Sequence, residues 1–193
     1  MNKPTHRFAV LLLASAAAQA DVSVNKEHVT EERVSEGQAL LLPFKQQLMM
    51  ALKTGLQQGP EAAVAACRLQ APAIAASLSQ DGVRIGRTSH KLRNLANVPE
   101  PWLQPLLASY LAERDQPPQA VALAEGLVGY VEPITVQPLC LTCHGDALAP
   151  ALAAKINTLY PDDQATGFQT GDFRGLFWVV FPESRVKAGG SEL

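Results

Sequence analysis

Five residues, Cys140-Leu141-Thr142-Cys143-His144, limit what this chain can become more than any other feature of its sequence. Two thiols three positions apart, followed at once by an imidazole, are the attachment signature of a c-type haem. The spacing follows from the chemistry. The thiols of Cys140 and Cys143 reach the two vinyl groups of a porphyrin and form thioethers, and His144 then lies under the iron as its proximal ligand. Two other readings of the cluster compete. A structural zinc site needs a second ligand pair, and the sequence has no second C-x-x-C or H-x-x-x-H, so Cys67 would have to join the cluster. A redox-active Cys140–Cys143 disulfide would need a helix following a βα unit, an order not legible around this motif.

The amino terminus supports the haem reading, because covalent attachment takes place after export. Lys3 and Arg7 precede an apolar run of eleven residues, Phe8 to Ala18, and Ala18-Gln19-Ala20 closes it as a small-x-small cleavage site. That order describes a secretory signal peptide over residues 1–20. The run is too short for a membrane span, which takes about twenty residues, and no later stretch without charges approaches that length. The expected product is periplasmic, with no transmembrane segment. Cleavage leaves 173 of the 193 residues, enough for one domain with a core. Loss of Lys3 and Arg7 takes the net charge from −2 to −4, which argues against nucleic acid as a partner.

Haem iron held by His144 has a second axial position, and five side chains compete for it: His28, Met49, Met50, Cys67 and His90. His28 sits in a polar segment, and the two methionines fit as core filling on a helix. Cys67 reads equally well as a small hydrophobe on an apolar stripe. A free thiol in an oxidising compartment, however, has to be inaccessible or occupied, and iron would occupy it.

The chain divides into residues 1–20 as leader, 21–37 as a polar segment, 38–183 as one domain and 184–193 as a flexible tail. Helical spacing begins at Pro43 with Phe44, Leu48, Leu52 and Leu56. Pro60 starts a second helix carrying Val64, Cys67, Ala71, Ile74 and Leu78 on one face, with a kink expected at Pro72. A short strand with Val83 and Ile85 on one face follows, then a polar stretch, and a third helix from Trp102 to Arg114 with Trp102, Leu106 and Tyr110 aligned. Two strands flank Glu125–Gly126, and the apolar run Leu176 to Phe181 reads as a central strand. Helices followed by strands make this an α+β domain, helices packed on an antiparallel sheet. Gly167, Gly171 and Gly175 are expected at tight turns, and Asp172 and Arg174 as an ion pair.

Four stretches, "ACRLQAPAIA", "IGRTSHKLRNLANVPEPW", "VEPITVQPLCLTCHG" and "YPDDQATGFQTGDFRG", occur in an order that resembles one family across about residues 40–182. That family is the small PAS-like c-type haem proteins with cysteine/histidine axial ligation, a domain of unknown function found as secreted proteins and as input domains of histidine kinases and chemoreceptors. The resemblance implies a PAS-like antiparallel sheet flanked by helices, His144 as proximal ligand and Cys67 as distal ligand. The chain departs from the family pattern at Leu95, where proline is common, and at Leu103, where an acidic residue is common.

A thiolate ligand favours iron(III), so the expected protein is six-coordinate, low-spin and of low reduction potential. Loss of Cys67 on reduction would open a site for CO or NO. Arg84, Arg87, Lys91 and Arg93 form a basic cluster, of which Arg87 and Arg93 are the expected partners of the haem propionates. The functional expectation is redox or gas sensing, or low-potential electron transfer, with a redox or signalling protein as partner and no substrate turnover. The alternative is a haem enzyme, peroxidase- or reductase-like, whose open distal site is served by a base such as His90.

Overall fold

The computed structural model describes residues 18–113 and 115–185, and their side chains from residue 30 onward. The leader lies outside these residues except for its last three, which begin the first helix. His28 and the tail beyond Arg185 also fall outside the described side chains.

Helix α1 runs from Ala18 to Gln57 and passes through Pro43. The polar segment 21–37 is therefore helical and continuous with the stripe that begins at Phe44. Its inward face explains this: Val34, Leu41, Phe44 and Leu48 fall at alternating spacings of seven, three and four, and Leu41 and Phe44 are fully buried. Gly37 lies within this stripe because α1 rests directly on the sheet. A Cβ there would sit 2.3 Å from Cγ of Tyr130.

Helix α2 spans Pro60–Leu78, with Gly59 capping its start and Pro60 at its first position. It continues through Pro72, which leaves the Arg68 carbonyl without its helical donor. Strand β1, Arg84–Thr88, follows, with Val83 and Ile85 both buried. Helix α3 is Leu103–Ala112. Its buried face is Leu103, Leu107 and Tyr110, one residue round from the expected Trp102–Leu106–Tyr110 face. Trp102 instead stands at the helix start, edge-on to Trp178 and bonded to Glu100.

Strands β2, Gln119–Ala122, and β3, Leu127–Thr135, meet through Glu125 and Gly126, both at positive φ. The attachment motif follows as a 3-10 turn and a short helix α4, Leu141–His144. Helix α5, Pro150–Leu159, with Leu152 and Ile156 buried, was not expected from the sequence. Strand β4, Phe173–Pro182, pairs with β1 and β3, giving the order β1-β4-β3-β2, all antiparallel. The apolar run 176–181 is central, as its composition predicts.

Helices α1 and α2 cover one face of the sheet with Leu41, Phe44, Ile74, Tyr130, Val179 and Phe181 between them. Helix α3 covers the other with Leu103, Leu107, Val131 and Leu176. The result is a single α+β domain with an open, PAS-like antiparallel sheet flanked by helices. Gly175 lies inside β4 rather than at a turn, and a Cβ there would meet the Thr88 carbonyl at 2.1 Å. Residues 183–185 form a helical turn that Arg185 ties to Glu36, so the expected flexible tail begins with an anchored segment. Among the described residues, no helix is long and apolar enough to cross a membrane.

Candidate functional site

Beyond the core, α1 and α2 separate from the sheet and leave a cavity of about 380 Å³, inside the usual range of cofactor pockets, about 300–1,000 Å³. Its walls are mostly apolar: Leu48, Leu52 and Leu56 from α1, Val64 from α2, Ile134 from β3 and Phe177 from β4. Cys67, Cys140, Cys143 and His144 all open onto it, as does Met49. His90 is not part of its lining, and Met50 is exposed.

The motif is held from below by the loop after α5. Phe168 N–H donates to the His144 carbonyl at 3.0 Å, and Gly167 N–H to the Gly145 carbonyl at 3.0 Å. Nδ1 of His144 lies 2.6 Å from the Ala165 carbonyl oxygen. A carbonyl only accepts, so Nδ1 carries the hydrogen and Nε2 keeps its lone pair. Burial, with Arg174 and Arg93 nearby, holds the His144 pKa down to about 3. The imidazole is neutral at any ordinary pH, which is the state a metal ligand requires.

Cys67 reaches the cavity from α2. One turn earlier, Val64 packs with Leu152 and Ile156 of α5 and against Cys143. Burial raises the Cys67 thiol above its usual pKa, and the guanidiniums of Arg87 and Arg93 oppose that rise. The three cysteines are free thiols. Among the described residues no group of three or more His, Cys, Asp or Glu side chains is arranged to hold a metal ion.

Arginines supply the polar part of the wall. Arg87 stands two residues beyond Ile85 on β1, hence on the same face of the sheet, opposite Phe177. It has no hydrogen-bond or ion-pair partner among the described residues, and burial lowers its pKa. Arg93 is held by protein acceptors. Its Nε and Nη2 bind the Asp163 carboxylate at 3.1 and 3.0 Å, and Nη2 also reaches the Cys143 carbonyl at 2.7 Å. Those two nitrogens are committed to protein acceptors.

Arg174, read in the sequence as a partner of Asp172, donates to Ser89 Oγ and the Lys91 carbonyl and lies over the Phe168 ring. Its Nε is buried with no partner, and burial and the other arginines bring its pKa down to about 10. Arg84 faces away, paired with Glu100 and stacked over Trp178.

Residues 9–182 match the sequence signature of the Tll0287-like family. The chain belongs to the Tll0287-like family. A solved relative, described as the crystal structure of the cyanobacterial heme-protein Tll0287, is 26% identical, with a TM-score of 0.52 over 88% of this chain and 97% of that one. No curated protein matches the chain. Family membership agrees with the four sequence stretches, and the fold shows what unites them. In this Tll0287-like domain each stretch places residues on the one cavity: Cys67 from the first, Arg87 and Arg93 from the second, the motif itself from the third, Tyr160 and Arg174 from the fourth.

Sequence reasoning passed over Asp163 and the Ala165 carbonyl, and read Arg174 only as a partner of Asp172. Asp163 and Arg174 lie in the fourth stretch, so their location was available. A backbone carbonyl leaves no trace in composition or spacing.

Proposed function

We propose that this chain is a periplasmic c-type haem protein for redox or gas sensing or low-potential electron transfer, without substrate turnover. Cys140 and Cys143 are the thioether residues, His144 Nε2 the proximal ligand and Cys67 the distal ligand. The observation that carries this reading is the bond from His144 Nδ1 to the Ala165 carbonyl, which directs a neutral, unshared Nε2 into a cavity that also holds Cys67 and both motif thiols.

The residues present fit the group. Arg87, which has no hydrogen-bond or ion-pair partner among the described residues, and Arg174 stand in a mostly apolar wall. A macrocycle with an apolar body and two carboxylates complements both features, since guanidinium binds carboxylate through paired hydrogen bonds. Bound haem would supply one-electron chemistry and an affinity for diatomic gases, at a potential set by its axial ligands. His144 keeps its proton on the Ala165 side. Burial favours the Cys67 thiol, and the positive field of Arg87 and Arg93 reduces the cost of forming its thiolate. The apolar side chains of α1 exclude water from the same space. Met49 also borders the cavity, but it is 46% exposed.

The test is expression of the full chain with a c-type maturation system. A haem stain that survives denaturation, together with a low-spin ferric spectrum altered by Cys67→Ala, is the expected result. A matured protein without covalent haem would overturn the proposal, and an unaltered spectrum in the variant would remove Cys67 from it.

A further inference from the structure

Arg93 and Asp163 are buried, at 13% and 9% side-chain exposure, and make the pair just described. Three features separate it from an ordinary ion pair. Arg93 Nη2 donates to the Cys143 carbonyl at 2.7 Å, a group the short helix α4 leaves open at its end. The same Nη2 lies 3.2 Å from the Ala165 carbonyl oxygen, the acceptor of His144 Nδ1. Asp163 Oδ1 accepts from the Ala165 backbone N–H at 2.9 Å. The peptide groups of Ala165 are therefore fixed on both sides: its N–H by Asp163 and its carbonyl by Arg93 and His144. The neighbouring Gln164 N–H donates to the Leu92 carbonyl at 2.8 Å, which joins the loop to the segment bearing Arg93.

We propose that Arg93 and Asp163 are positioning residues for His144, acting through the Ala165 carbonyl. The pair sets the ring's orientation by holding the shared oxygen in line with the Nδ1 proton. A metal-bound histidine is tuned by the acceptor of its second nitrogen, and disturbing such a partner typically costs ten- to a hundredfold in metal affinity or activity. The carbonyl here divides its accepting capacity between two donors. Asp163→Ala frees both Arg93 and the Ala165 N–H, so the carbonyl is no longer aimed at Nδ1. His144 becomes a weaker and more variable donor to the metal.

The inference rests on the haem reading in one respect, and the experiment separates the two. Asp163→Ala, Arg93→Lys and, as a control, Arg84→Gln are made in the matured full chain, with covalent haem verified by mass. Midpoint potential and ferric EPR g-values are then recorded. The haem-free chains are compared by nitrogen NMR of the His144 ring. Asp163→Ala is expected to raise the ferrous-to-ferric ratio about tenfold at a given potential, about 59 mV for one electron, and to broaden the g-values. Arg93→Lys, which keeps the charge and loses the fork, is expected to shift them part of the way. Arg84→Gln, which breaks a different arginine–carboxylate pair, is expected to match the wild type.

Wild-type potential and g-values in Asp163→Ala with haem attached would overturn the positioning role. Failure of haem attachment in the wild-type chain would overturn the haem reading and leave the nitrogen NMR as the deciding measurement. An unchanged Nδ1–H signal in the haem-free Asp163→Ala chain would then refute the positioning role.

Discussion

The imidazole of His144 gives its Nδ1 hydrogen to the carbonyl of Ala165, 2.6 Å away on a loop that follows α5. This bond fixes the tautomer, so that Nε2 carries the lone pair, while burial keeps the ring neutral. It depends on a segment 21 residues further along the chain.

A pH dependence follows from the burial of that ring. An unfolded His144 titrates near its ordinary value of 6.5, and the folded one only near 3. Between these values the unfolded chain binds a proton that the folded chain does not, so stability falls as pH drops. The contribution is complete above about pH 6.5 and lost by about pH 3, at up to about 1.4 kcal/mol per pH unit inside the window. Urea titrations of the haem-free chain at a series of pH values should show this slope. His144→Gln should flatten it.

Arg87 is a half-buried cation on the cavity wall, with no hydrogen-bond or ion-pair partner among the described residues, and burial lowers its pKa. Replacing it by methionine removes an uncompensated charge and keeps most of the apolar stem. The haem-free Arg87→Met chain should be more stable, by about 1–3 kcal/mol, while its haem incorporation falls. Denaturant midpoints and the haem-to-protein ratio after maturation measure the two effects. A loss of stability in the haem-free chain would contradict the unpartnered state of this side chain.

Cys67→Ala should convert a low-spin ferric spectrum to a high-spin one and quicken CO binding to the reduced protein. The substitution removes the sulfur and little volume from a half-buried position, so the denaturation midpoint of the haem-free chain should move by less than the amount for a large core deletion, about 2–5 kcal/mol. Absorption spectra with and without CO read the first effect independently of the second.

Gly37 carries the contact between α1 and the sheet. In Gly37→Val the new side chain meets the Tyr130 ring, and α1 has to lift from β3. The expected cost is at least about 1–3 kcal/mol, the usual range for overpacking. Thermal denaturation measures it, and a neutral result would show that α1 does not rest on Tyr130.

Much of this arrangement is visible in the chain itself where the relevant physics is local. The motif over 140–144 needs only its own spacing. The central position of β4 follows from six consecutive apolar residues, and the break between α1 and α2 from Gly59 and Pro60. The readings that changed concern helices whose signal depends on a partner. Residues 21–37 look too polar to continue α1, because charged and polar residues dominate the segment and few of its residues, Val34 and Gly37 among them, meet the core. The α3 face is rotated by one residue because Leu103 and Leu107 meet Val131 and Leu176 of the sheet.

The amino-acid sequence alone determined the C-x-x-C-H motif, the α+β class and the family, since each depends on residue identity at short spacing. Only the tertiary structure decided the division of labour among the arginines. Arg87 and Arg93 are six residues apart and chemically identical, yet one meets a carboxylate and two carbonyls while the other faces the cavity and has no hydrogen-bond partner among the described residues. A guanidinium's role is set by which oxygens lie within about 3 Å of it, and those oxygens come from segments about 50 to 70 residues distant, which no local pattern encodes.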